Sequence, residues 1–210
     1  MAFSSSNGAT REGILRAALK RFAHAGYAAT SVQQIVADAR VSKPALYYYF
    51  SDKAALFQAL VNEAHDARYR LLQEAAARGR DIRGQLEGIL VALFEYFQDN
   101  RDLVRISFAT MFAAPGEVPE GLACREKCER NFEFVHSLIR KAQQAGGLDR
   151  RFDSRELTYG FYGLTNFYLA ANLIMPDCKP DRRVAGRIVD LFLSGAAAPR
   201  GTKRLSGKSQ

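Results

Sequence analysis

Residues 30–53 read TSVQQIVADARVSKPALYYYFSDK, and this stretch decides the fold. Ser31 is placed to cap a helix, and Gln34 follows it at the spacing of a capping box. A second helix opens after Ser42, where Pro44 has no amide to lose and a backbone torsion that already suits a helix. Two helices this short cannot bury enough surface alone, so the pattern predicts a helix-turn-helix packed on a third helix.

The third helix is predicted just before this pair, with Thr10 as its cap. Ile14, Ala18 and Phe22 recur every four residues, which places them on one face of that helix. Gly26 suits the left-handed position at which a helix commonly ends. The pattern therefore predicts a compact three-helix unit at the start of the chain.

The rest of the chain repeats the helical period, and no strand pattern competes with it. Ser51 is expected to cap a long helix over residues 52–78, and apolar residues then recur at helical spacing over 86–97. Pro- and Gly-rich segments separate the later helices. These are expected over 102–112, 122–145, 153–175 and 181–197.

The composition favours a globular protein with a polyanionic partner. The chain has 210 residues, 48% of them hydrophobic, and a net charge of +8. A basic balance favours nucleic acid, although many basic proteins bind none. No apolar run is long enough to span a bilayer and no signal peptide is evident, so we expect a cytoplasmic protein with no membrane partner.

The second helix of the pair carries the side chains suited to reading DNA. Leu46 and Phe50 lie four residues apart and face inward, which leaves polar and aromatic side chains outward, as in a helix that enters a major groove. Lys43 can donate to guanine O6 or N7. Pro44 and Ala45 offer apolar contact to a thymine methyl group.

A specific set of residues in this region matches a known pattern in order and spacing, without a gap. They are Thr10, Ile14, Ala17, Ala18, Phe22, Gly26, Tyr27, Thr30, Ser31, Val32, Ile35, Ala39, Val41, Ser42, Leu46, Tyr47, Phe50, Lys53 and Leu56. In these residues the segment resembles the DNA-binding domain of TetR-family transcriptional regulators. The resemblance implies an all-α fold, with an N-terminal three-helix DNA-binding domain and a larger C-terminal helical domain for ligand binding and dimerisation.

We accordingly predict four parts of the chain. They are a flexible N-terminus (1–8), a helix-turn-helix DNA-binding domain (9–51), a helical effector-binding and dimerisation domain (52–197) and a basic disordered tail (198–210).

The predicted DNA contacts combine these arguments with the resemblance. Tyr47 and Tyr49 resemble family positions that contact phosphates and bases, and Lys53 resembles the family's phosphate-binding lysine. Hydroxyls and free amides at the start of the first helix of the pair can meet the DNA backbone. The full predicted set is Thr30, Ser31, Gln33, Arg40, Ser42, Lys43, Pro44, Ala45, Tyr47, Tyr48, Tyr49 and Lys53. The alternative is a tyrosine cluster that only packs a surface, and Tyr48 fits either interpretation.

Arg40 departs from the family, which usually has glycine at this turn position. A non-glycine residue adopts the left-handed conformation at a cost of about 1 kcal/mol, so we expect the turn to persist. Arg40 then adds a phosphate contact.

Aromatic and soft side chains concentrate on the later helices, and most of them must be core. A helical bundle can nevertheless leave an apolar cavity with a few polar groups, and Asn166 and Thr165 lie in the most apolar helix, where a polar side chain needs a partner. A core hydrogen bond or a water satisfies that need as well as a ligand does. We predict a small hydrophobic or aromatic effector that contacts Phe94, Phe97, Phe108, Met111, Phe112, Phe134, Tyr162 and Asn166.

The last two helices are predicted to form a homodimer interface. The first of them is apolar nearly all round and needs cover on two sides. The predicted interface residues are Leu157, Phe161, Leu164, Tyr168, Val184, Ile188, Leu191 and Phe192. The resemblance implies a two-fold four-helix bundle, which would let the dimer read a palindromic double-stranded operator; the alternative is a monomer that buries these helices internally. Repression, relieved when the effector favours another spacing of the two DNA-binding domains, is the mode that the family implies.

Catalysis finds little support, and no cofactor is predicted. The three histidines lie far apart in sequence with no nucleophile placed beside them by a motif. Cys124 and Cys128 share a helical face, with His136 two turns further on, but this is not a recognised zinc spacing. We predict reduced structural cysteines and no metal. The remaining alternative is a helical scaffolding or small-molecule-binding protein whose helix-turn-helix no longer reads DNA.

Overall fold

The computed structural model describes residues 5–175, 177 and 180–194, with side chains from residue 8 onward. In these ranges the chain forms nine α-helices and no strand, which confirms the all-α prediction. The helices are α1 (Ser5–Ala29), α2 (Val32–Ala39), α3 (Lys43–Tyr49), α4 (Lys53–Arg78), α5 (Ile82–Asp99), α6 (Arg101–Met111), α7 (Arg125–Gln144), α8 (Ser154–Ile174) and α9 (Arg182–Ser194). Residues 1–4 and the predicted tail, 198–210, lie outside the described residues.

Two hydrophobic cores organise the helices. The first joins α1, α2, α3 and the start of α4, with Ile106 of α6 added to it. The second joins the end of α4 with α5, α7, α8 and α9. Helix α4 belongs to both cores, because Leu56 and Leu60 pack in the first and Leu72 packs in the second. Any movement of α4 must therefore be felt in both halves of the protein.

Helix α5 lies at the centre of the second core. Leu86, Ile89 and Leu90 are fully buried, and Leu93 and Phe94 nearly so. The chain reaches α5 through a tight connection at Gly79, where an added Cβ would lie 2.4 Å from the backbone nitrogen of Gln85. Only glycine fits so close an approach, so this residue fixes how α4 turns into α5.

The start of α1 differs from the prediction. The helix begins at Ser5, so Thr10 lies within it instead of capping it, and the flexible N-terminus cannot extend to residue 8. The Ser-, Asn- and Gly-rich sequence of residues 5–8 weakens a helix without breaking it, and adding residues to an existing helix is far cheaper than starting one. At the other end Gly26 has φ 78°, which confirms the predicted interruption there.

The cap of α4 is Asp52, whereas the sequence pattern suggested Ser51. A carboxylate oxygen of Asp52 accepts a hydrogen bond of 2.7 Å from the amide of Ala55. The Ser51 hydroxyl instead donates to the other carboxylate oxygen of Asp52. A carboxylate at this position satisfies a free amide and also suits the positive end of the helix dipole.

Helix α7 begins three residues later than predicted, at Arg125 instead of Leu122. Gln58 of α4 explains the delay, because its side chain accepts from the Ala123 amide at 2.8 Å and donates to the Ala123 carbonyl at 2.9 Å. Both backbone groups of Ala123 are thus satisfied outside a helix. This pair of bonds docks the segment before α7 onto α4.

None of the helices in the described ranges has the length and apolar composition needed to cross a membrane.

Candidate functional site

The connection between α2 and α3 is built from local hydrogen bonds. The Ser31 hydroxyl accepts from the Gln34 amide at 3.2 Å, and the Gln34 side chain accepts from the Ser31 amide at 2.8 Å, so the predicted capping box is confirmed. Arg40 adopts the left-handed conformation, with φ 55° and ψ 43°. The amide of Val41 closes the turn on the Val36 carbonyl at 3.0 Å. The helix-turn-helix therefore forms with arginine where the family has glycine.

Helix α3 is held from one side only. Ser42 caps it through a 3.2 Å bond from the Ala45 amide, and Pro44 stands in its first turn, as predicted. Leu46 is fully buried and Phe50 is 5% exposed, so these two residues anchor the helix to the first core. The opposite face of the helix is left to solvent.

The three tyrosines of α3 do not share one environment. Tyr47 and Tyr48 are 49% and 74% exposed, whereas Tyr49 is half-buried against the first core. The ring of Tyr49 contacts the ring of Tyr48 edge to face, with centroids 5.0 Å apart. Tyr49 thus contributes to packing, and Tyr48, which the sequence left ambiguous, is the more outward of the two.

The predicted DNA-contact residues at the surface lie at the start of α2, in the turn and on α3. Ser31, Gln33 and Arg40 are exposed, as are Ser42, Lys43 and Pro44, and Ala45 is half-buried. Lys43 and Tyr47 are four residues apart and therefore lie on one face of α3. The structure brings a cation, a phenol and the first turn of a helix to one outward surface.

Two residues of the predicted set face inward. Thr30 is 2% exposed and its hydroxyl donates to the Gly26 carbonyl at 2.7 Å, so the prediction of a Thr30 side-chain contact with DNA is wrong. The Lys53 ammonium group donates to the carbonyls of Tyr27 and Thr30, both at 2.9 Å, and lies 4.2 Å from the centre of the Tyr27 ring. Lys53 closes the junction of α1 and α2 onto α4.

An ion pair fixes α2 on α1. Arg21 donates two hydrogen bonds to the two carboxylate oxygens of Asp38, at 2.5 and 2.8 Å. The hydrogen bond from this guanidinium group lowers the pKa of Asp38, and the carboxylate raises the pKa of Arg21. A bidentate pair holds orientation as well as distance, so the helix-turn-helix is presented at a fixed angle.

The eight predicted effector residues do not share one environment. Phe94 is 2% exposed in the second core, while Met111 and Phe112 are exposed to solvent. The other five are half-buried: Phe97, Phe108, Phe134, Tyr162 and Asn166. A cleft of about 530 Å³ lies instead between α1, α4 and the α5–α6 junction, lined by apolar residues such as Leu15 and by charged ones. None of the eight residues lines this cleft.

A half-buried arginine with two buried nitrogens was not predicted from the sequence. Two guanidinium nitrogens of Arg68, Nε and Nη2, are buried with no hydrogen-bond partner. The guanidinium carbon lies 5.4 Å from the centre of the Tyr162 ring. Nearby, the side-chain oxygen of Asn131 is also buried without a partner. Unpaired buried polar groups are costly, and the arginine sits in a long amphipathic helix, where nothing in the sequence distinguishes it from a solvated charge.

The predicted interface residues divide into buried and accessible ones. Phe161 and Ile188 are each 1% exposed within the second core of their own chain, so their prediction as contacts with a second copy is wrong. Leu157, Leu164, Tyr168, Val184 and Phe192 are half-buried, and Leu191 is exposed. The sequence reasoning missed the most exposed apolar side chains of α8: Tyr159, Phe167 and Ile174.

Comparison with known proteins agrees with this geometry. The model of the family described as bacterial regulatory proteins, tetR family, matches residues 14–60. The HTH-type transcriptional regulator YdgC of Bacillus subtilis (strain 168) is 29% identical over 192 residues, which cover 89% of this chain and 92% of YdgC. The HTH-type transcriptional regulator YuxN of the same organism is 27% identical over 165 residues, or 77% of this chain and 54% of YuxN. This chain thus spans about half the length of YuxN.

The fold is shared with a solved structure. The transcriptional regulator FadR from Bacillus subtilis, in complex with stearoyl-CoA, superposes with a TM-score of 0.73 at 19% identity, covering 89% of this chain and 99% of FadR. YdgC and YuxN are both named as transcriptional regulators, which is the role expected from the sequence. With the capped, outward-facing α3 and the match over residues 14–60, the N-terminal part of the chain is a helix-turn-helix domain of the tetR type of bacterial regulatory proteins.

Proposed function

We propose that this protein is a homodimeric repressor that binds a palindromic operator and is released from it by a small-molecule effector. The observation that carries the proposal is the one-sided anchoring of α3, in which buried Leu46 holds the helix while Lys43 and Tyr47 remain at the surface. A helix that enters a major groove needs one face packed on the protein and the opposite face free to contact DNA. A bacterial regulator of this kind meets its DNA in the cytoplasm, which is the location we propose.

The contacts with DNA follow from the positions of the exposed side chains. We assign Lys43, at the start of α3, to a guanine edge, and Tyr47 and Tyr48 to phosphates and bases on either side. Ser31, Gln33 and Arg40 are assigned to backbone phosphates. Lys53 and Tyr49 are assigned to positioning, since both are engaged with the protein itself.

The dimer is assigned to the exposed apolar face of α8 and its neighbour α9. Tyr159, Phe167 and Ile174 on α8 and Leu191 on α9 are exposed large apolar residues, and Gly163, with nothing of its own chain beside it, permits close approach of another helix. Solvent contact of so many large apolar groups is unfavourable, and pairing with a second copy removes it. In such a dimer two α3 helices about 34–36 Å apart would read successive major grooves.

The effector is assigned to the junction of α4, α7 and α8, around Arg68. Its unpaired guanidinium nitrogens favour a ligand with an acidic group, and the rings of Tyr162 and Phe132, stacked with centroids 5.8 Å apart, favour an apolar remainder. The stearoyl-CoA bound to FadR has both properties. We therefore propose an amphiphilic anionic effector, which refines the hydrophobic or aromatic ligand expected from the sequence.

Binding at this junction would act on DNA affinity through α4. Arg68 and the first-core residue Leu60 lie on the same helix, so a displacement of α4 reaches the helix-turn-helix. To change operator occupancy from mostly bound to mostly free, the effector must discriminate the two arrangements by a few kcal/mol.

Operator binding is tested with the chain's own upstream DNA in a fluorescence anisotropy titration. We expect a palindromic fragment to bind the wild type, and Lys43→Ala and Tyr47→Ala to weaken binding by about tenfold or more, since a bidentate base contact is worth about 1–3 kcal/mol. Arg150→Ala, on the exposed turn before α8, is the matched control for loss of a positive charge. If Arg150→Ala weakened binding as much as Lys43→Ala does, the role of Lys43 would be only nonspecific charge attraction.

Effector release is tested by adding stearoyl-CoA to the operator complex, with stearyl alcohol as the uncharged comparison. The anionic probe is expected to release the wild type from DNA and to leave Arg68→Met bound. Release by both probes, or of Arg68→Met as readily as of the wild type, would contradict the assignment to Arg68 while leaving the DNA proposal intact.

A further inference from the structure

Three potential metal ligands meet at the junction of α4 and α7. His65 lies on α4, Cys124 is the residue before α7, and Cys128 is on the first turn of α7. One ligand atom from each of the three lies within 4.8 Å of the others. The sequence pointed to His136 as the neighbour of the cysteines, but His136 bonds Glu133 and Ser154 instead. The histidine that completes the group is separated from Cys128 by 63 positions.

The spacing of these atoms suits a tetrahedral ion. Nε2 of His65 lies 3.6 Å from Sγ of Cys128. With Zn–S near 2.3 Å and Zn–N near 2.05 Å, a tetrahedral angle separates the two ligand atoms by about 3.6 Å. Two thiolates bound to one zinc are about 3.8 Å apart by the same geometry. The Sγ atoms of Cys124 and Cys128 lie within 4.8 Å of each other, so their spacing allows this arrangement.

Local backbone structure presents both thiols toward α4. Cys124 and Cys128 are four residues apart and share one face of α7. Cys124 occupies the cap position but makes no side-chain cap bond, so its thiol is not engaged with the helix end. The hydrogen bonds between Gln58 and Ala123 hold the adjacent residue on α4. The ligands are thus fixed by contacts that do not involve the ion.

We propose that His65, Cys124 and Cys128 bind a thiophilic divalent cation of the zinc class, with the fourth position open to water or to a further donor. Thiolate and imidazole are the donor types that zinc prefers, and exposed Cys128 gives the ion a route from solvent. Bound there, the ion would clamp the start of α7 to α4.

Three cations lie near the site, and the thiolate ligands would have to offset them. Lys127 and Arg130 share the carboxylate of Asp66, at 2.5 and 2.8 Å. Arg68 acts electrostatically on both His65 and Cys128. Two thiolates would cancel the charge of a divalent ion. Burial lowers the pKa of His65, which favours the neutral imidazole that can bind a metal ion. Burial and the neighbouring thiol raise the pKa of Cys128 to about 11, so ion binding would proceed with release of protons.

The test uses full-length protein, stripped of metal and kept reduced with a phosphine. Co²⁺ is titrated as a spectroscopic substitute for Zn²⁺. We expect one Co²⁺ per chain with a thiolate-to-metal charge-transfer band, which Zn²⁺ then abolishes by displacement. Absence of the band from the wild type would overturn the proposal without reference to any variant.

Variants then identify the ligands. Cys124→Ser, Cys128→Ser and His65→Asn are each expected to weaken Co²⁺ binding at least about tenfold, because even loss of a group that only supports a ligand costs metal affinity at this level. His24→Asn, an exposed histidine on α1, and Cys178→Ser, outside the described residues, are the matched controls. Equal weakening by either control would overturn the assignment. Saturating Zn²⁺ should raise the melting temperature of the wild type and of both controls but not of the three ligand variants. None of these measurements involves DNA, so their outcome is independent of operator binding.

Discussion

The ammonium group of Lys53 donates a hydrogen bond to the backbone carbonyl of Thr30 at 2.9 Å. A second bond of the same length reaches the Tyr27 carbonyl. These two acceptors lie at the end of α1 and just before α2, while Lys53 itself is the first residue of α4. One cation therefore connects the three helix termini around the DNA-reading unit, where part of its surface is covered by the Tyr27 ring.

Lys53→Met should therefore destabilise the fold as well as weaken operator binding. Losing two charge-assisted bonds from a half-buried group is expected to lower the free energy of unfolding by about 1–3 kcal/mol in urea denaturation. Lys43→Met is the matched comparison, since it removes the same charge from the exposed face of α3. It should change stability by less than about 0.5 kcal/mol and lose operator affinity only. If the two variants were equally stable, Lys53 would act through contact with DNA and not through these two hydrogen bonds.

Arg40 carries backbone strain and a charge, which two substitutions can separate. Arg40→Gly relieves the positive φ of 55° and should raise the free energy of unfolding by about 0.5–1 kcal/mol. Arg40→Ala keeps the strain and should not stabilise. Both variants remove one phosphate contact, so both should reduce the salt dependence of operator affinity by about one ion. A glycine variant no more stable than the alanine variant would show that the turn is unstrained.

Replacing either of two adjacent tyrosines of α3 should have different effects on stability and on operator binding. Tyr49→Ala deletes a ring packed on the first core, and is expected to cost about 1–3 kcal/mol of unfolding free energy. Tyr48→Ala deletes a ring that is 74% exposed, and should leave thermal stability nearly unchanged while weakening operator binding. If Tyr48→Ala retained full operator affinity, the exposed ring would have no part in recognition.

The ion pair between Arg21 and Asp38 predicts a pH dependence. The pKa of Asp38 is lower in the folded protein than its usual value, so the folded state favours the charged carboxylate. The stabilising contribution is therefore complete above the usual carboxyl pKa of about 3.9, and is lost as the pH falls through the lower, folded value. A double-mutant cycle with Arg21→Met and Asp38→Asn should give a favourable coupling energy at neutral pH. That coupling should decline only in this acid range, and a coupling insensitive to acid would exclude an ionic origin.

Features set by neighbouring residues were predictable from the sequence. The capping box at Ser31 and the cap at Ser42 each depend on atoms within three positions along the chain, whereas the left-handed turn at Arg40 was expected only from the family resemblance. Hydrophobic period likewise predicted the helices and the first core. Such features are decided by local geometry, which a sequence displays directly.

Features set by distant residues were not predictable. The carbonyl partners of Lys53 lie 23 and 26 positions away, and the amide that delays α7 belongs to Gln58, 65 positions from Ala123. Helix α8 shows the same limit in its packing. It is apolar on nearly every side, so the sequence did not say that Phe161 would be covered by its own chain and Phe167 left exposed. Only the arrangement of α5, α7 and α9 around it makes that choice.

The exposed face of α8 yields the test of the proposed dimer. Phe167→Asp places a charge on the apolar surface assigned to the second copy, while the residue is 72% exposed within its own chain, so the fold should tolerate the change. We expect a dimer for the wild type and a monomer for the variant in sedimentation velocity. Phe152→Asp, at a 53% exposed phenylalanine before α8, is the matched control and should remain dimeric. The monomeric variant should also bind a single operator half-site as the wild type does, but lose the added affinity for the palindrome, because joining two reading heads makes the second contact intramolecular. A Phe167→Asp protein that still sediments as a dimer would place the interface elsewhere.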